Sequence, residues 1–164
     1  MKPSLREGAT HVKKALKIAV AVIVLLVVVA QFIRPDRANP PVDPAQTMYA
    51  SMVVPADVKA VLDRSCNDCH SNQTTYPWYT NISPLSWWLQ NHINEGRHEL
   101  NVSEWNTYQP RKKAKKLEEV CEQVRAGEMP LPSYLVVHRD AALTQSDIDL
   151  LCKWSEEARA QTGQ

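Results

Sequence analysis

From Ile18 to Ala30 the chain carries thirteen consecutive Ala, Val, Ile or Leu residues, and Gln31, Phe32 and Ile33 extend the uncharged run to Arg34. A stretch apolar on every face does not suit the surface helix of a small water-borne domain, so this run divides the chain in two. Five basic residues, Lys2, Arg6, Lys13, Lys14 and Lys17, precede it. At about 1.5 Å of helical rise per residue, residues 18–33 span roughly 24 Å. That is a little short of the ~30 Å hydrocarbon core, a difference that snorkelling of Lys17 and Arg34 makes up. The expectation is a single transmembrane signal anchor over residues 18–33. Residues 1–17 form its basic cytoplasmic segment, and everything after Arg34 lies outside the cytoplasmic membrane. A cleaved signal peptide competes with this reading, since Val28-Val29-Ala30 ends on a small residue. The anchor is preferred because no helix breaker precedes that site and the apolar run continues beyond it.

Charge follows the same division. Residues 1–38 hold seven basic and two acidic side chains, whereas the other 126 residues hold twelve and sixteen. The whole-chain net charge of +1 is therefore a +5 targeting segment added to a −4 remainder. Four glycines, at Gly8, Gly96, Gly127 and Gly163, are too widely spaced for a phosphate-cradling loop or a dinucleotide fingerprint. No nucleic-acid partner is expected. A single Phe and the scarcity of alternating Val, Ile and Thr runs argue against a sandwich or barrel.

The exported part reads as mainly α. Pro35, Pro40, Pro41 and Pro44 mark residues 34–54 as a semi-extended linker, leaving residues 55–160 as the working domain. Pro55 opens a helix from Ala56 to about Arg64, and Ser83-Pro84 starts another that runs toward Gly96. Arg111 to Ala126 has Leu117, Val120, Cys121 and Val124 at helical spacing, with Gly127 as its stop. A short turn follows Pro132. Thr144 with Asp147 forms a capping box for a last helix to about Ala160, whose inner face is Ile148, Leu151, Cys152 and Trp154. Short helices joined by Pro-rich loops make a thin core, and a bound prosthetic group would supply apolar surface that such a core lacks.

Cys66-Asn67-Asp68-Cys69-His70 is a C-x-x-C-H sequence at the end of the first exported helix. Two thiols at this spacing can add to the two vinyl groups of one haem, which sets the adjacent His beneath the iron as proximal ligand. The other ring nitrogen then needs an acceptor, expected as a backbone carbonyl in the Pro77 to Pro84 loop. Zinc or dithiol chemistry, or a Cys66–Cys69 disulfide, are the alternatives. Export across a membrane favours haem attachment, because a reduced zinc dithiol is out of place there.

Met129, between Gly127-Glu128 and Pro130, is the candidate sixth ligand, with His138 as the main competitor and His98 and His92 behind it. His/Met ligation raises the reduction potential and suits an electron carrier. Among the clustered aromatics, Trp78 and Trp88 are the expected haem contacts, and Arg97 is the candidate partner for a propionate. Ordinary packing, or a solvated arginine, is the plain alternative for each. The run Arg111-Lys112-Lys113-Ala114-Lys115-Lys116 reads as a solvated helix face rather than a docking patch. Cys121 and Cys152 either pair or remain two buried thiols.

Several stretches together resemble the bacterial haem-binding domain family of small c-type cytochrome-like proteins, over about Val58 to Trp154. They are C-x-x-C-H-S-N at Cys66 to Asn72, P-W-Y at Pro77 to Tyr79, M-P at Met129-Pro130, and a closing helix with Trp154. The resemblance implies a mostly helical, cytochrome c-like fold around one covalent haem c and its iron. It carries over Cys66, Cys69 and His70 as attachment and proximal ligand, and Met129 by analogy with cytochromes c in general. The expected function is electron transfer by a membrane-anchored monohaem cytochrome, a carrier rather than a catalyst, in the periplasm or outside. Two haem propionates would make the domain more acidic still, so a redox partner with a basic docking face is expected. A haem peroxidase or gas sensor with a labile distal site, and a structural zinc module, are the competing functions.

Overall fold

The computed structural model describes residues 5–162, with side chains from residue 10 onward. Residues 1–4, which include Lys2 of the expected basic segment, lie outside the described residues. Among the described residues eight α-helices follow one another: α1 (Leu5–Ala30), α2 (Met48–Ser51), α3 (Ala56–Ser65), α4 (Asn67–His70), α5 (Leu85–Glu99), α6 (Pro110–Ala126), α7 (Pro132–Leu135) and α8 (Gln145–Thr162). Short 3-10 turns lie between them, and no strand occurs among the described residues. The mainly helical class expected from composition and pattern is what the chain adopts.

Contacts divide the chain into two units, one of residues up to Arg37 with Tyr76–Asn91, the other of Ala38–Thr75 with His92 onward. In the first unit α1 stops at Ala30, and the N–H groups of Gln31, Phe32 and Ile33 turn back to Val28, Val29 and Ala30. Among the described residues no helix is long and apolar enough to cross a membrane. The span expected over residues 18–33 is thereby corrected. The helical apolar stretch is thirteen residues, about 20 Å, because it ends three residues earlier than expected and Lys13, Lys14 and Lys17 precede it directly. The remainder of this unit is joined by polar groups. Gln31 donates to Ser83 O at 2.9 Å and accepts from Ser83 N–H at 3.0 Å, and the Trp87 indole donates to Ile33 O at 2.7 Å.

The second unit is built on α3, α6 and α8. Val58, Val61 and Leu62 on α3 are buried against Leu117, Cys121 and Val124 on α6 and Leu151, Cys152, Trp154 and Ala158 on α8. On α6 and α8 these include the positions the helical periodicity assigned inward, except that Val120 and Ile148 sit at the margin; Ala158 is an addition. Gly127 takes a left-handed φ of 71° and ends α6, with the Glu128 N–H closing on Gln123 O at 3.0 Å. Cys121 and Cys152 form a disulfide between α6 and α8, which resolves the alternative left open by the sequence. At the start of α8 the box is reciprocal: Thr144 N–H donates to Asp147 Oδ2 at 2.9 Å and Asp147 N–H to Thr144 Oγ1 at 3.2 Å. Arg64 adds an ion pair to the same carboxylate at 3.0 Å.

Two expectations change here. Residues 38–54, taken as part of a linker, are folded: Asp43 caps the turn Pro44–Gln46, and Met48 of α2 is only 2% exposed, in the cluster that holds Trp105. One apolar side chain among prolines carries no periodicity, so nothing local announced its burial. In addition, α5 continues through Gly96 to Glu99. On α6 Lys112 lies over the Tyr108 ring at 4.0 Å and Lys115 pairs with Glu119, whereas Lys116, its side chain only 11% exposed, pairs with both Glu119 and Glu99 rather than facing solvent.

Replacing both Cys121 and Cys152 with Ala is expected to lower the unfolding free energy by about 3–4 kcal/mol, read by denaturant titration; a loss below about 1 kcal/mol would show that the crosslink adds little. The backbone N–H of Thr144, then its hydroxyl and Arg64, hold the Asp147 carboxyl below the usual carboxylate range. Its contribution is therefore present above the unfolded pKa of about 4 and is lost as pH falls through the lower folded value. Asp147→Asn should cost about 1 kcal/mol at neutral pH, and the difference from wild type should shrink below about pH 4.

Candidate functional site

Cys66 leaves α3 with φ −128° and ψ −43°, and the next four residues form the single turn of α4. The N–H groups of Cys69 and His70 both return to Cys66 O, at 3.1 and 3.0 Å. Positions three and four apart on one turn share a face, so both thiols and the imidazole point to the same side. All three line a cleft of about 260 Å³, walled also by α5 residues and by Met129 and Tyr134. Burial, with the neighbouring Cys69 charge second, pushes the Cys66 thiol up to about 12. Burial, with Asp68 second, pushes Cys69 up to about 11. Both are thus held as neutral thiols.

His70 Nδ1 lies 2.9 Å from Gly96 O and 3.0 Å from Leu100 O. Two carbonyl acceptors assign the proton to Nδ1 and leave Nε2 for a metal. Burial lowers the His70 pKa, and the two carbonyls oppose that shift, so the ring is neutral, the ligating form. The acceptors are corrected from the expected Pro77 to Pro84 loop to the C-terminal end of α5. Carbonyls at a helix end have spare capacity; Gly96 O also accepts the Leu100 N–H at 2.9 Å.

Gly96 has a second role. A Cβ placed there would stand 2.8 Å from Cys69 O and 3.1 Å from Cys69 Cβ, so only glycine lets α5 close on the attachment turn. Sequence reasoning assigned Gly96 to a helix end and missed this. The available signal was a lone glycine inside a helical pattern.

Arg97, the expected propionate partner, faces elsewhere. Its Nε donates to Ser71 O at 2.8 Å, and its Nη2 donates to Thr74 Oγ1 at 2.8 Å and Asn39 Oδ1 at 2.7 Å. It holds the loop that leaves His70. Asn72 extends that frame, its N–H donating to Ser103 Oγ at 3.0 Å and its carbonyl oxygen accepting from Asn101 at 2.8 Å. Trp78 and Trp88, 75% and 43% exposed, belong to the first unit. Trp154 supplies an aromatic wall in a second cleft of about 420 Å³ that shares Cys66, His70, Glu99 and Met129 with the first.

Met129 therefore lines both clefts, while its competitors are placed differently. His138 stacks on the Tyr134 ring at 4.2 Å, His98 is exposed beside Glu99, and His92 lines the first cleft. The residues fit a haem. Two thiols and an imidazole share one face, a thioether lines the same space, and Leu62, Val102, Val124 and Trp154 give that space apolar walls. A porphyrin brings four nitrogen ligands of its own and asks the protein for only one or two. A structural zinc asks for four, and among the described residues no group of three His, Cys, Asp or Glu is placed to hold a metal ion.

A family model described as a haem-binding domain matches residues 25–157. No curated protein and no solved structure matches the chain. The match covers the stretch on which the motif-level resemblance rested and extends it toward the amino terminus.

Gly96→Ala should force α5 from the attachment turn. A loss of about 1–3 kcal/mol in thermal unfolding is expected, with a lower haem-to-protein ratio after expression. Wild-type values for both would show that the close approach is not required.

Proposed function

The chain belongs to the haem-binding domain family, and we propose that it is a membrane-attached monohaem c-type cytochrome that carries electrons outside the cytoplasmic membrane. The observation that carries the reading is His70: a neutral imidazole, Nδ1 fixed by two carbonyls, on the same turn as two buried thiols. Each thiol would add across one haem vinyl group, sulfur bonding one carbon and the proton going to the other. Bound in this way, haem supplies an iron that takes up and releases one electron. Cys66 and Cys69 would tether the ring, and His70 Nε2 and Met129 would be the residues that hold its iron. The apolar walls exclude water and, with the thioether, favour the reduced state.

Three further observations support the place assigned to this chemistry. The Cys121–Cys152 disulfide suits an oxidising compartment. The exposed apolar side chains of α1, such as Ile23 and Leu26, follow three lysines, an order that keeps the basic flank cytoplasmic. Thirteen apolar residues fall short of the hydrocarbon core, so attachment draws on lysine stems and local thinning of the bilayer. The cleft margin carries Asp68, Glu95 and Glu99, which favours a redox partner with a basic docking face.

Purified full-length protein should show a c-type haem spectrum that survives acid-acetone extraction, and freely extracted haem would overturn the covalent attachment. The ferric form should carry a methionine-to-iron charge-transfer band that Met129→Ala removes. A wild type without that band, binding cyanide readily, would move the function to a haem sensor or peroxidase.

A further inference from the structure

Asp68 is one of the two variable residues of the C-x-x-C-H sequence, yet its side chain is committed in two directions. Oδ1 accepts the Thr75 N–H at 3.1 Å, tying the attachment turn to the loop that follows His70. Oδ2 accepts the Tyr134 hydroxyl at 2.8 Å, from the far side of the cleft. Tyr134 sits on α7, five residues after Met129, and its ring lines the same cleft as Met129 and His70. The ring is held flat against His138, with an interplanar angle of 8°.

The segment bearing Met129 is thus pinned at both ends. On the α6 side the Met129 N–H bonds Gln123 O at 3.3 Å, next to the Gly127 cap. On the α7 side the backbone turns through Tyr134 N–H to Leu131 O at 2.9 Å, and the Tyr134 hydroxyl reaches the attachment turn at Asp68. A hydrogen bond to a carboxylate is shorter and stronger than one between neutral groups.

We propose that the Tyr134–Asp68 hydrogen bond is a latch that holds the Met129 loop over the proximal turn, so that both residues position the sixth iron ligand without touching the iron. The proposal rests on the reading of Met129 as that ligand. Asp68 then reports the state of one side of the cleft to the other, because the residue between the two cysteines fixes both the exit of the proximal loop and the entry of the distal one. Loosening the latch releases the loop, raises the fraction of iron from which methionine has dissociated, and opens the sixth position to outside ligands.

The test uses full-length holoprotein in the ferric state, with imidazole as the competing ligand. Tyr134→Phe keeps the ring and its stacking and removes only the hydroxyl. It should raise imidazole affinity about tenfold or more, the change expected for losing a hydrogen bond to a charged group, while the haem remains covalently attached. Asp68→Ala should raise it at least as much, and Tyr134→Phe should add nothing further on that background. Unfolding is measured alongside, since a merely structural hydroxyl would lower stability without changing imidazole affinity. A methionine band present in all variants with unchanged imidazole affinity overturns the latch alone. So does a full Tyr134→Phe effect on the Asp68→Ala background. A wild type lacking the band overturns the Met129 reading and the latch with it.

Discussion

Everything at the site depends on how closely one turn of α5 approaches the attachment turn. The Gly96 carbonyl accepts from His70 Nδ1 while its missing side chain leaves room for Cys69. A helix that kept a Cβ there would have to stand farther off, and the imidazole would lose a 2.9 Å acceptor with it. The next residue, Arg97, reaches in the other direction and fixes the loop beyond His70. Leu100, one turn on, provides the second acceptor. Ring orientation, thiol placement and loop path are thus set by a few consecutive residues on a rigid element rather than by the loops themselves.

The apolar core and the cleft are not separate structures. Leu62, Val102, Val124 and Trp154 belong to the buried cluster of the second unit and also wall the cleft. A cofactor seated there would complete the packing of α3, α6 and α8 as well as take part in chemistry, and any ligand that binds only the folded state adds to stability. The disulfide holds α6 to α8 at 4.6 Å between Cα atoms, a short distance from where α6 ends and the Met129 segment begins. The Met129 segment therefore emerges from a crosslinked part of the unit.

What could be read from sequence divides along physical lines. Helices with period 3.6 and explicit end signals were legible: Gly127 ends α6, and Thr144 with Asp147 opens α8. The C-x-x-C-H turn was legible because its spacing is itself the chemistry. Partners that depend on distant backbone were not. Nothing local tells that His70 would use carbonyls thirty residues on, or that Arg97 would hold Ser71 and Thr74 instead of facing the cleft. Met48 was missed because one buried side chain in a Pro-rich stretch has no pattern. The apolar run was read three residues too long, since Gln31, Phe32 and Ile33 are uncharged but turn out of the helix.

The disulfide also bears on how the chain is assembled. Four cysteines admit three complete pairings, and two of them join a motif cysteine to a core cysteine and would draw the attachment turn out of place. Once Cys121 and Cys152 have closed, only the Cys66–Cys69 mispairing remains. On the proposed reading of Cys66 and Cys69 as haem-attaching thiols, one pair is oxidised and the other kept reduced. Folding does part of that sorting, because α6 and α8 bring their cysteines together as the core forms, while Cys66 and Cys69 stay protonated in a cleft of their own. The two pairs are kept apart by placement, Cys121 and Cys152 on packed helices and Cys66 and Cys69 at the turn.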